Sequence, residues 1–466
     1  MKIVVIGNGF DLANGLPTSY KDYYVYKVAQ LEEVFKKIWE FLTDLKIPSQ
    51  IKKDNELFCK NMRFPESLSG EDNKTLCEKI KAIFGDFSIS KLSFWDVFFW
   101  YLINIKNEST DLSWFNVEAI IKNFIFDKTR LKKVCITNIK EYVENNLLEM
   151  VDFTLPSVNK KVSEEYFSNI ISSYTPEEKA LMLFGEMLKL KRKSGKLSIY
   201  DILLNELHEY EESFRNYISL IMNDIVTANR KNIGIYRDNF MKLITDNSNN
   251  KDFYLLNFNY TCISASQSKD EQKAKTEGKV KFQRGNICHE ITEVNVHGSF
   301  NIIAIFGIDQ SKVGASDFGY IFTKTYRKIS NRKKLISFPL PSLKEVDEIV
   351  FYGHSLSEAD YSYFQSIFDY YDIYHSNIKL TFKYSLYGEF PEINEKEHYS
   401  CIIKLIRNYG ETMDNINHGN NLVHKLLLEN RLEVKEVKLK KIDTSSFRSK
   451  YINDSGVTKL KSSIEG

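Results

Sequence analysis

The chain has 466 residues, more than one hydrophobic core usually serves, so we expect two structural units. Its 64 basic and 62 acidic side chains nearly balance, so net charge does not direct it to nucleic acid or to a membrane surface. The six cysteines have no paired spacing, so they indicate neither a disulfide framework nor a zinc ribbon, and they favour a reducing compartment.

The sequence also lacks the marks of a membrane or exported protein. No segment reaches the ~18 consecutive apolar residues that a membrane span requires. The first residues form an apolar strand without a basic leader or a cleavage site. We therefore expect a cytoplasmic protein that does not bind a membrane.

The first twenty residues combine a buried strand with a glycine-rich loop. The β-branched run Ile3–Ile6 has no polar alternation, which is typical of a parallel strand covered on both faces. Gly7, Asn8 and Gly9 follow at once, and glycines there allow the backbone to approach the phosphates of a ligand. The dinucleotide fingerprint is incomplete, since Leu12 stands where it requires a third glycine. Nucleotide binding is the first hypothesis, and a plain strand-turn pair of an α/β domain is the alternative.

From Ser19 onward the apolar spacing becomes helical and stays so for about 200 residues. Thr175-Pro176-Glu177-Glu178 is a helix start, because it combines a capping threonine with proline at the first helical position. Residues 199–221 carry a one-sided apolar stripe that predicts an amphipathic helix. The aromatic stretch 94–102 predicts core packing, with an aromatic ligand wall as the alternative.

Three further strands are predicted, and each leads into a polar or glycine-containing loop. They are Phe253–Asn257 before Asn259, Val294–Val296 before His297-Gly298, and Glu348–Tyr352 before Gly353 to Leu356. The carboxyl ends of strands in an open α/β sheet line one crevice, where ligands bind. Taken singly, Asn257 and Asn259 are typical of turn residues. His297, taken singly, is either a structural hydrogen-bonding residue or a general acid or base.

The segments between and after these strands are less specific. We expect strands at Ile302–Ile308 and Ile378–Tyr384, and a solvated, lysine-rich loop at residues 267–284. The basic run Lys324–Lys334 reads as a solvated helix face, with a phosphate or nucleic-acid contact as the alternative.

The four loops together resemble two known groups of proteins. The sirtuin loop is similar to Gly7-Asn8-Gly9 followed by Gly15-Leu16-Pro17. The longer segment Ile6–Tyr20 resembles the AbiH family of bacterial phage-abortive-infection proteins. Asn259 lines up with the sirtuin asparagine and His297-Gly298 with the sirtuin His-Gly. Further AbiH-like segments are Phe258–Thr261 and Gly353-His354-Ser355-Leu356 with Asp360.

Two features depart from the sirtuin pattern. The sirtuin aspartate falls on Thr261, so the role of that carboxylate is either filled differently or lost. No cysteine pair corresponds to the sirtuin zinc module, which argues against a protein deacylase and for a site without metal.

The resemblance implies a sirtuin-like, Rossmann-type α/β fold, with a parallel sheet and helices on both of its faces. Residues 1–30 and 246–440 are predicted to form this nucleotide-binding domain. A mostly helical insertion, residues 31–245, interrupts it, and residues 441–466 are predicted to form a flexible tail.

The resemblance also implies an activity, the hydrolysis of the nicotinamide-ribose bond of NAD, which would stop growth of an infected cell. Bond cleavage passes through an oxocarbenium-like ribose. Asn259 would orient the ribose or a water molecule, and His297 would act as the base. Gly7, Asn8 and Gly9 would take the pyrophosphate, and Ser355 the adenosine side. The other cofactor-binding residues that the resemblance implies are Phe10, Asp11, Gly15, Leu16, Pro17, Asn257, Gly298, Gly353, His354 and Asp360.

Several partners and alternatives follow from this interpretation. The expected partners are NAD as substrate, a phage-derived trigger or a partner defence protein, and further copies of the chain in a homo-oligomer. NADP and ADP-ribose are alternative ligands. A nucleotide sensor or scaffold that never cleaves is the main alternative function, because Thr261 lacks the sirtuin carboxylate. A nucleic-acid-directed toxin, acting through the basic run, is another.

Overall fold

A computed structural model describes residues 1–43, 92–105, 114–126, 180, 183–184, 187–188, 198–245, 252–264, 279–284, 287–314, 318–332, 339–387 and 391–452. The chain divides into two compact units. The first unit comprises residues 1–26, 112–119 and 211–453, and the second comprises residues 27–111, 120–210 and 454–466.

The first unit is built around a sheet of seven described strands. They are β1 (Lys2–Ile6), β2 (Asp252–Asn257), β3 (Lys279–Arg284), β4 (Ile287–Asn295), β5 (Glu348–Tyr352), β6 (Lys379–Tyr384) and β7 (Leu432–Glu436). Their order in the sheet is β3-β4-β2-β1-β5-β6-β7. The six described strands β4, β2, β1, β5, β6 and β7 are parallel to one another, and β3 pairs antiparallel with β4. The predicted Rossmann-like α/β fold with a parallel sheet is confirmed.

The described α-helices, in chain order, are α1 (Gly9–Ala13), α2 (Tyr20–Gln30), α3 (Glu32–Thr43), α4 (Phe94–Asn104), α5 (Trp114–Phe126), α6 (Ile199–Ile221), α7 (Arg230–Ile244), α8 (Lys324–Ser330), α9 (Tyr361–Tyr370), α10 (Pro391–Gly410), α11 (Ile416–Leu428) and α12 (Ser445–Tyr451). A π-helix, Met222–Thr227, continues α6. Short 3-10 turns occupy Gln310–Lys312, Phe318–Phe322, Leu343–Glu345 and Glu358–Asp360.

Helices cover the sheet on both faces, which explains the continuous apolar run of β1. Ile3 and Val5 belong to a hydrophobic core that also contains Phe364 of α9, Leu405 of α10 and Leu422 of α11. On the opposite face, Lys383 of β6 donates a hydrogen bond to the carbonyl of Leu243, near the end of α7 (2.6 Å). All five residues of β1 are buried, as a strand covered on both faces requires.

In the second unit, the aromatic stretch at residues 94–102 forms core, as predicted. Ser93 and Asp96 make a capping box that begins α4. Trp95 is buried, and its indole nitrogen donates to the carbonyl of Leu203 at 3.1 Å. Phe94 stacks on Phe98 with ring centroids 5.7 Å apart. Every described residue of this unit that has regular secondary structure is helical. The boundaries of the predicted insertion stay a prediction, and the predicted helix start at 175–178 lies outside the described residues.

Two sequence predictions need correction. Ile302–Ile308 is not a strand but makes two isolated bridges, because the chain turns back sharply and the Ser299 amide donates to the Ile303 carbonyl. Residues 279–284, predicted as solvated loop, form the antiparallel edge strand β3. Strand β7 was not predicted, because three of its five residues are charged. Helix α7 lies within the stretch that was predicted to be helical. Within the predicted tail, α12 forms a short helix with Phe447 buried.

Candidate active site

The four predicted loops lie side by side at one edge of the sheet. In chain order, the first loop follows β1, the second β2, the third β4 and the fourth β5. In the sheet these strands are neighbours in the order β4-β2-β1-β5. Backbone hydrogen bonds continue beyond the strands. Phe258 donates to the Ile6 carbonyl at 2.9 Å, Val296 to Asn257 at 2.8 Å, and Gly7 to Tyr352 at 3.0 Å. The parallel register therefore brings together motifs that are far apart in the sequence.

The glycines of the first and fourth loops pack against each other. A Cβ added to Gly9 would lie 2.7 Å from the Gly353 Cα, and one on Gly7 would lie 2.6 Å from the His354 Cα. Gly353 has a φ of +67°, and its carbonyl accepts the Gly9 amide at 2.7 Å. The space beside Gly7 and Gly9 thus holds protein backbone, and the predicted contact with a pyrophosphate stays a prediction.

Most of the remaining predicted residues of the first loop stabilise its shape. Phe10 is fully buried and packs on Tyr236 with centroids 5.2 Å apart. Asn8 and Thr18 close the loop, since the Thr18 hydroxyl donates to the Asn8 Oδ1 at 2.7 Å. The Gly15-Leu16-Pro17 segment also has a structural role. Gly15 has a φ of +85°, and Leu16 is buried. The Pro17 carbonyl accepts a hydrogen bond from the Tyr217 hydroxyl at 2.7 Å.

A small pocket lies between the first and second loops, and we call it the Asp11 pocket. Its enclosed space is about that of one water molecule. The described lining residues are Asn8, Asp11, Thr18, Ile218, Phe258, Asn259, Tyr260 and Thr261. They offer amides, hydroxyls, one carboxyl group and aromatic rings, and none of them is lysine or arginine. This polar character suits a bound water molecule or a single hydroxyl group of a ligand.

The two asparagines of the second loop differ in what they contact. Asn257 shapes the loop, because its Oδ1 accepts the Asn259 amide at 2.9 Å and its Nδ2 donates to the Thr261 carbonyl at 2.9 Å. Asn259 is 2% exposed, yet neither its Oδ1 nor its Nδ2 has a hydrogen-bond partner among the described residues. A buried amide without partners is rare and costly, so it marks a place where a ligand or water binds.

Among the described residues that line the pocket, Asp11 alone carries a carboxyl group. Its Oδ1 accepts the Tyr236 hydroxyl at 2.8 Å and its Oδ2 accepts the Thr261 hydroxyl at 2.7 Å. Burial raises the pKa of Asp11 to about 7, although these two hydrogen bonds lower it and Glu293 raises it further. The pKa of Tyr236 is raised well above its usual range by burial and by Asp11, so the phenol stays protonated and remains a donor.

A second group of titratable side chains lies beside the third and fourth loops, and we call it the Lys324 cluster. Its members are Glu118, His297, Lys324, His354 and Asp360. The Lys324 ammonium lies 2.7 Å from the Asp360 Oδ1 and 2.9 Å from the Glu118 Oε2. Burial opposes the charge on Lys324, but Asp360 and Glu118 raise its pKa. Burial likewise opposes the charge on Asp360, yet Lys324 holds its pKa well below the usual range. Burial raises the pKa of Glu118 to about 7 in spite of Lys324.

The two histidines of this cluster both face Asp360. His354 accepts the Leu356 amide on its Nδ1 at 2.9 Å, so its proton sits on Nε2, 3.3 Å from the Asp360 Oδ2. The His297 Nε2 lies 3.0 Å from the Asp360 Oδ1 but lacks the geometry of a hydrogen bond. Burial and Lys324 lower the pKa of His297 to about 4, so the ring is neutral at pH 7. His297 packs on Phe258 with centroids 5.3 Å apart and does not line the Asp11 pocket.

Two predicted residues of the third and fourth loops make contacts within their own loops. Ser355 is exposed and bonds the Ser357 hydroxyl at 3.1 Å. Gly298 has a φ of +83°, and a Cβ there would lie 2.1 Å from the Ile303 carbonyl, so this glycine is required by the turn. Asp360 occupies the cap position of α9, but its carboxylate makes no capping bond.

Sequence reasoning missed several residues of the site. No sequence motif pointed to Tyr236, Glu293, Glu118 or Glu211. The basic run was read as a solvated face, which is wrong for Lys324 and Arg327, since both are 2% exposed. Arg327 makes a bidentate ion pair with Glu211, with its Nη2 donating at 2.6 Å. These two cations are therefore not free to contact nucleic acid.

Comparison with known proteins gives one result. A family model described as "Bacteriophage abortive infection AbiH" matches residues 3–384. The matched range includes all four loops, the Asp11 pocket and the Lys324 cluster. A comparison with curated proteins gave no match. Among the described helices, none combines the length and the apolar character needed to cross a membrane.

Proposed function

Because the chain belongs to the AbiH family of bacteriophage abortive infection proteins, and so has a role in phage defence, we propose that it acts by hydrolysing NAD. Water attacks the anomeric carbon of the nicotinamide ribose while the bond to the nicotinamide nitrogen breaks. The products are ADP-ribose, nicotinamide and a proton. Loss of NAD then stops growth of the infected cell.

The observation that carries this proposal is the buried amide of Asn259. Both of its polar atoms lack partners among the described residues, and it lines the Asp11 pocket. A carboxamide offers one donor group and one acceptor, which matches a ribose hydroxyl or a water molecule beside the anomeric carbon. Holding that water in place lowers the entropic cost of attack. We assign Asn259 this orienting role.

The size of the pocket limits what enters it. Its enclosed space is about that of one water molecule, far below the ~300–1,000 Å³ of pockets that enclose a drug-sized ligand. The pocket would hold the attacking water, and the nicotinamide ribose with the rest of NAD would lie outside it. The described lining contains neither lysine nor arginine, which agrees with this, because a pyrophosphate would find no cation there.

In this proposal His297 does not act as the base but holds a residue of the pocket lining in place. Its lowered pKa makes it a weak proton acceptor at neutral pH. Its ring packs edge-on against Phe258, and Phe258 lines the pocket. We therefore assign His297 a positioning role.

The test uses cells infected with a phage against which the parent protein protects, because a resting NADase must be held inactive to spare its host. We expect NAD to fall and nicotinamide and ADP-ribose to rise in these cells. Asn259→Ala should slow this by about 10²–10³-fold, as loss of one oriented polar group does elsewhere. Asn417→Ala is the matched control, since Asn417 is exposed on α11. Protection by the parent at an unchanged NAD level would contradict the proposal.

A non-catalytic nucleotide sensor is the second candidate, and one observation favours it. His297, which the sirtuin resemblance implies as base, is buried against Asp360 with a lowered pKa. A sensor would bind NAD or ADP-ribose, release no nicotinamide, and lose both binding and protection in Asn259→Ala. Calorimetry on the purified parent and on this variant separates it from the enzyme.

A further inference from the structure

Asp11 shares the small pocket with Asn259, where its carboxyl group would contact a bound water molecule. It belongs to α1, the short helix within the first loop, and it is 1% exposed. Its two oxygens are held by hydroxyl groups from β2's loop and from α7, namely Thr261 and Tyr236. The carboxyl group is therefore fixed in orientation within the pocket.

Thr261 holds the carboxyl group of Asp11 in place. Its hydroxyl donates directly to the Asp11 Oδ2 at 2.7 Å. The first loop thus supplies a carboxyl group and the second loop a hydroxyl group to one hydrogen-bonded pair in the lining of the pocket.

Resting on the NAD hydrolysis proposed above, we propose that Asp11 is the general base that accepts a proton from the attacking water. As the new bond forms between the water oxygen and the anomeric carbon, the glycosidic electron pair moves to the nicotinamide nitrogen. The released proton passes to the Asp11 carboxylate and then to solvent. Atoms and charge balance, because NAD and water give ADP-ribose, nicotinamide and one proton.

Charge in the pocket supports this assignment. Cleavage develops positive charge on the ribose, and the bound nicotinamide ring is itself a cation, so an anion beside them is stabilising. The same anion would repel a pyrophosphate, which fixes the direction in which NAD enters. A base works best when its pKa lies near the working pH, and Asp11 meets this condition because burial raises its pKa to about 7.

A purely structural role is the alternative, since Asp11 ties together three segments of the fold. The two roles differ in how they depend on pH. A base acts only when ionised, so the rate of nicotinamide release should rise with pH and reach half its maximum near pH 7. Thr261→Val removes a hydrogen bond that favours the ionised form, and it should move this midpoint upward by roughly one pH unit. A structural tie would leave the midpoint unchanged.

The central variant is Asp11→Asn, with Asp238→Asn as matched control on the exposed side of α7. In extracts of infected cells, Asp11→Asn should slow nicotinamide release by about 10²–10⁴-fold, the usual effect of losing a general base. Asp238→Asn should keep the parent rate and the parent pH midpoint. Release by Asp11→Asn at the parent rate would overturn the assignment and leave the proposed NADase intact.

A binding measurement tests the same carboxylate without turnover. The probes are the 1-methylnicotinamide cation and neutral nicotinamide, titrated into purified protein at pH 6 and pH 8. The parent should prefer the cation at pH 8 by roughly tenfold, in line with one nearby charge partly screened by water. Asp11→Asn should lose this preference. If the preference depends on Asp11 but infected cells release no nicotinamide, the NADase proposal and the base both fail. A parent without any preference at pH 8 counts against Asp11 alone.

Discussion

The Asp11 pocket and the Lys324 cluster both bury a carboxyl group, but they surround it differently. Asp360 is 8% exposed and lies 2.7 Å from the ammonium of Lys324. Asp11 is 1% exposed, and in the described part of the chain its carboxyl oxygens accept hydrogen bonds only from hydroxyl groups. The pKa of Asp360 is accordingly held well below its usual range by Lys324, against the effect of burial, while burial raises that of Asp11 to about 7.

The charge of Asp360 is therefore fixed near neutral pH, whereas the charge of Asp11 can change. A carboxylate beside a buried cation stays ionised over the whole physiological range, and it serves to hold loops together. A carboxyl group that only hydroxyls contact can gain or lose a proton near neutral pH, which is what acid-base chemistry requires. Under the proposed function, the Lys324 cluster supports the loops and the Asp11 pocket carries out the chemistry.

Removing the cation from the Lys324 cluster should have the largest effect. Lys324→Met leaves Asp360 and Glu118 buried without a counter-charge, and breaking a buried pair in this way costs about 3–5 kcal/mol. Urea unfolding of the purified variant measures the loss. Lys396→Met, on the exposed surface of α10, is the control and should match the parent. A loss below about 1 kcal/mol for Lys324→Met would mean that the cluster does not depend on its cation.

The next effect concerns the glycine contact that joins the two regions. Gly9 precedes Asp11 and Gly353 precedes His354, and their backbones touch. Gly9→Ala should destabilise the fold by roughly 2–4 kcal/mol, because the new Cβ meets backbone that cannot move aside. Gly234→Ala is the control, since its Cβ would meet open space. A folded Gly9→Ala protein with parent stability would show instead that the loops can separate, as a phosphate cradle would require.

The smallest effect should come from neutralising the pocket. The folded pKa of Asp11 is raised above the unfolded value of 3.8, so the ionised form opposes folding and stability falls as pH rises toward 7. Asp11→Asn should therefore be more stable than the parent at pH 8, by roughly 1–3 kcal/mol. The gain should shrink at pH 5, where the folded parent is already protonated. Thermal unfolding at both pH values measures it, and equal differences would contradict the raised pKa.

Much of the sheet and of the site's location followed from the sequence. Burial on both faces demands continuous apolar strands, and Ile3–Ile6 and Glu348–Tyr352 have that pattern. Their polar exits identified one edge of the sheet, because parallel strands end together. Strand β7, Leu432–Glu436, carries alternating charge at the sheet margin and so lacks that signal.

The partners of each side chain could not be read from the sequence. Tyr236 meets Asp11 across 225 residues, and nothing in the local pattern of α7 indicates which face turns to the pocket. Lys324 stands in a basic run that resembles a solvated surface, and its burial depends on carboxylates from other segments. A glycine shows that space is needed, but only the fold shows that Gly353, and not a ligand, fills the space beside Gly9.

The central position of β1 has a consequence for synthesis of the protein. β1 is made first, yet its two neighbours are β2, which begins at Asp252, and β5, which ends at Tyr352. At about 5–20 residues per second, a ribosome takes tens of seconds to travel from β1 to β5. During that time the first strand has no finished sheet to join, and the loop that carries Asp11 has no Gly353 to pack against. A half-made copy therefore holds no assembled candidate site until translation has passed the fourth loop.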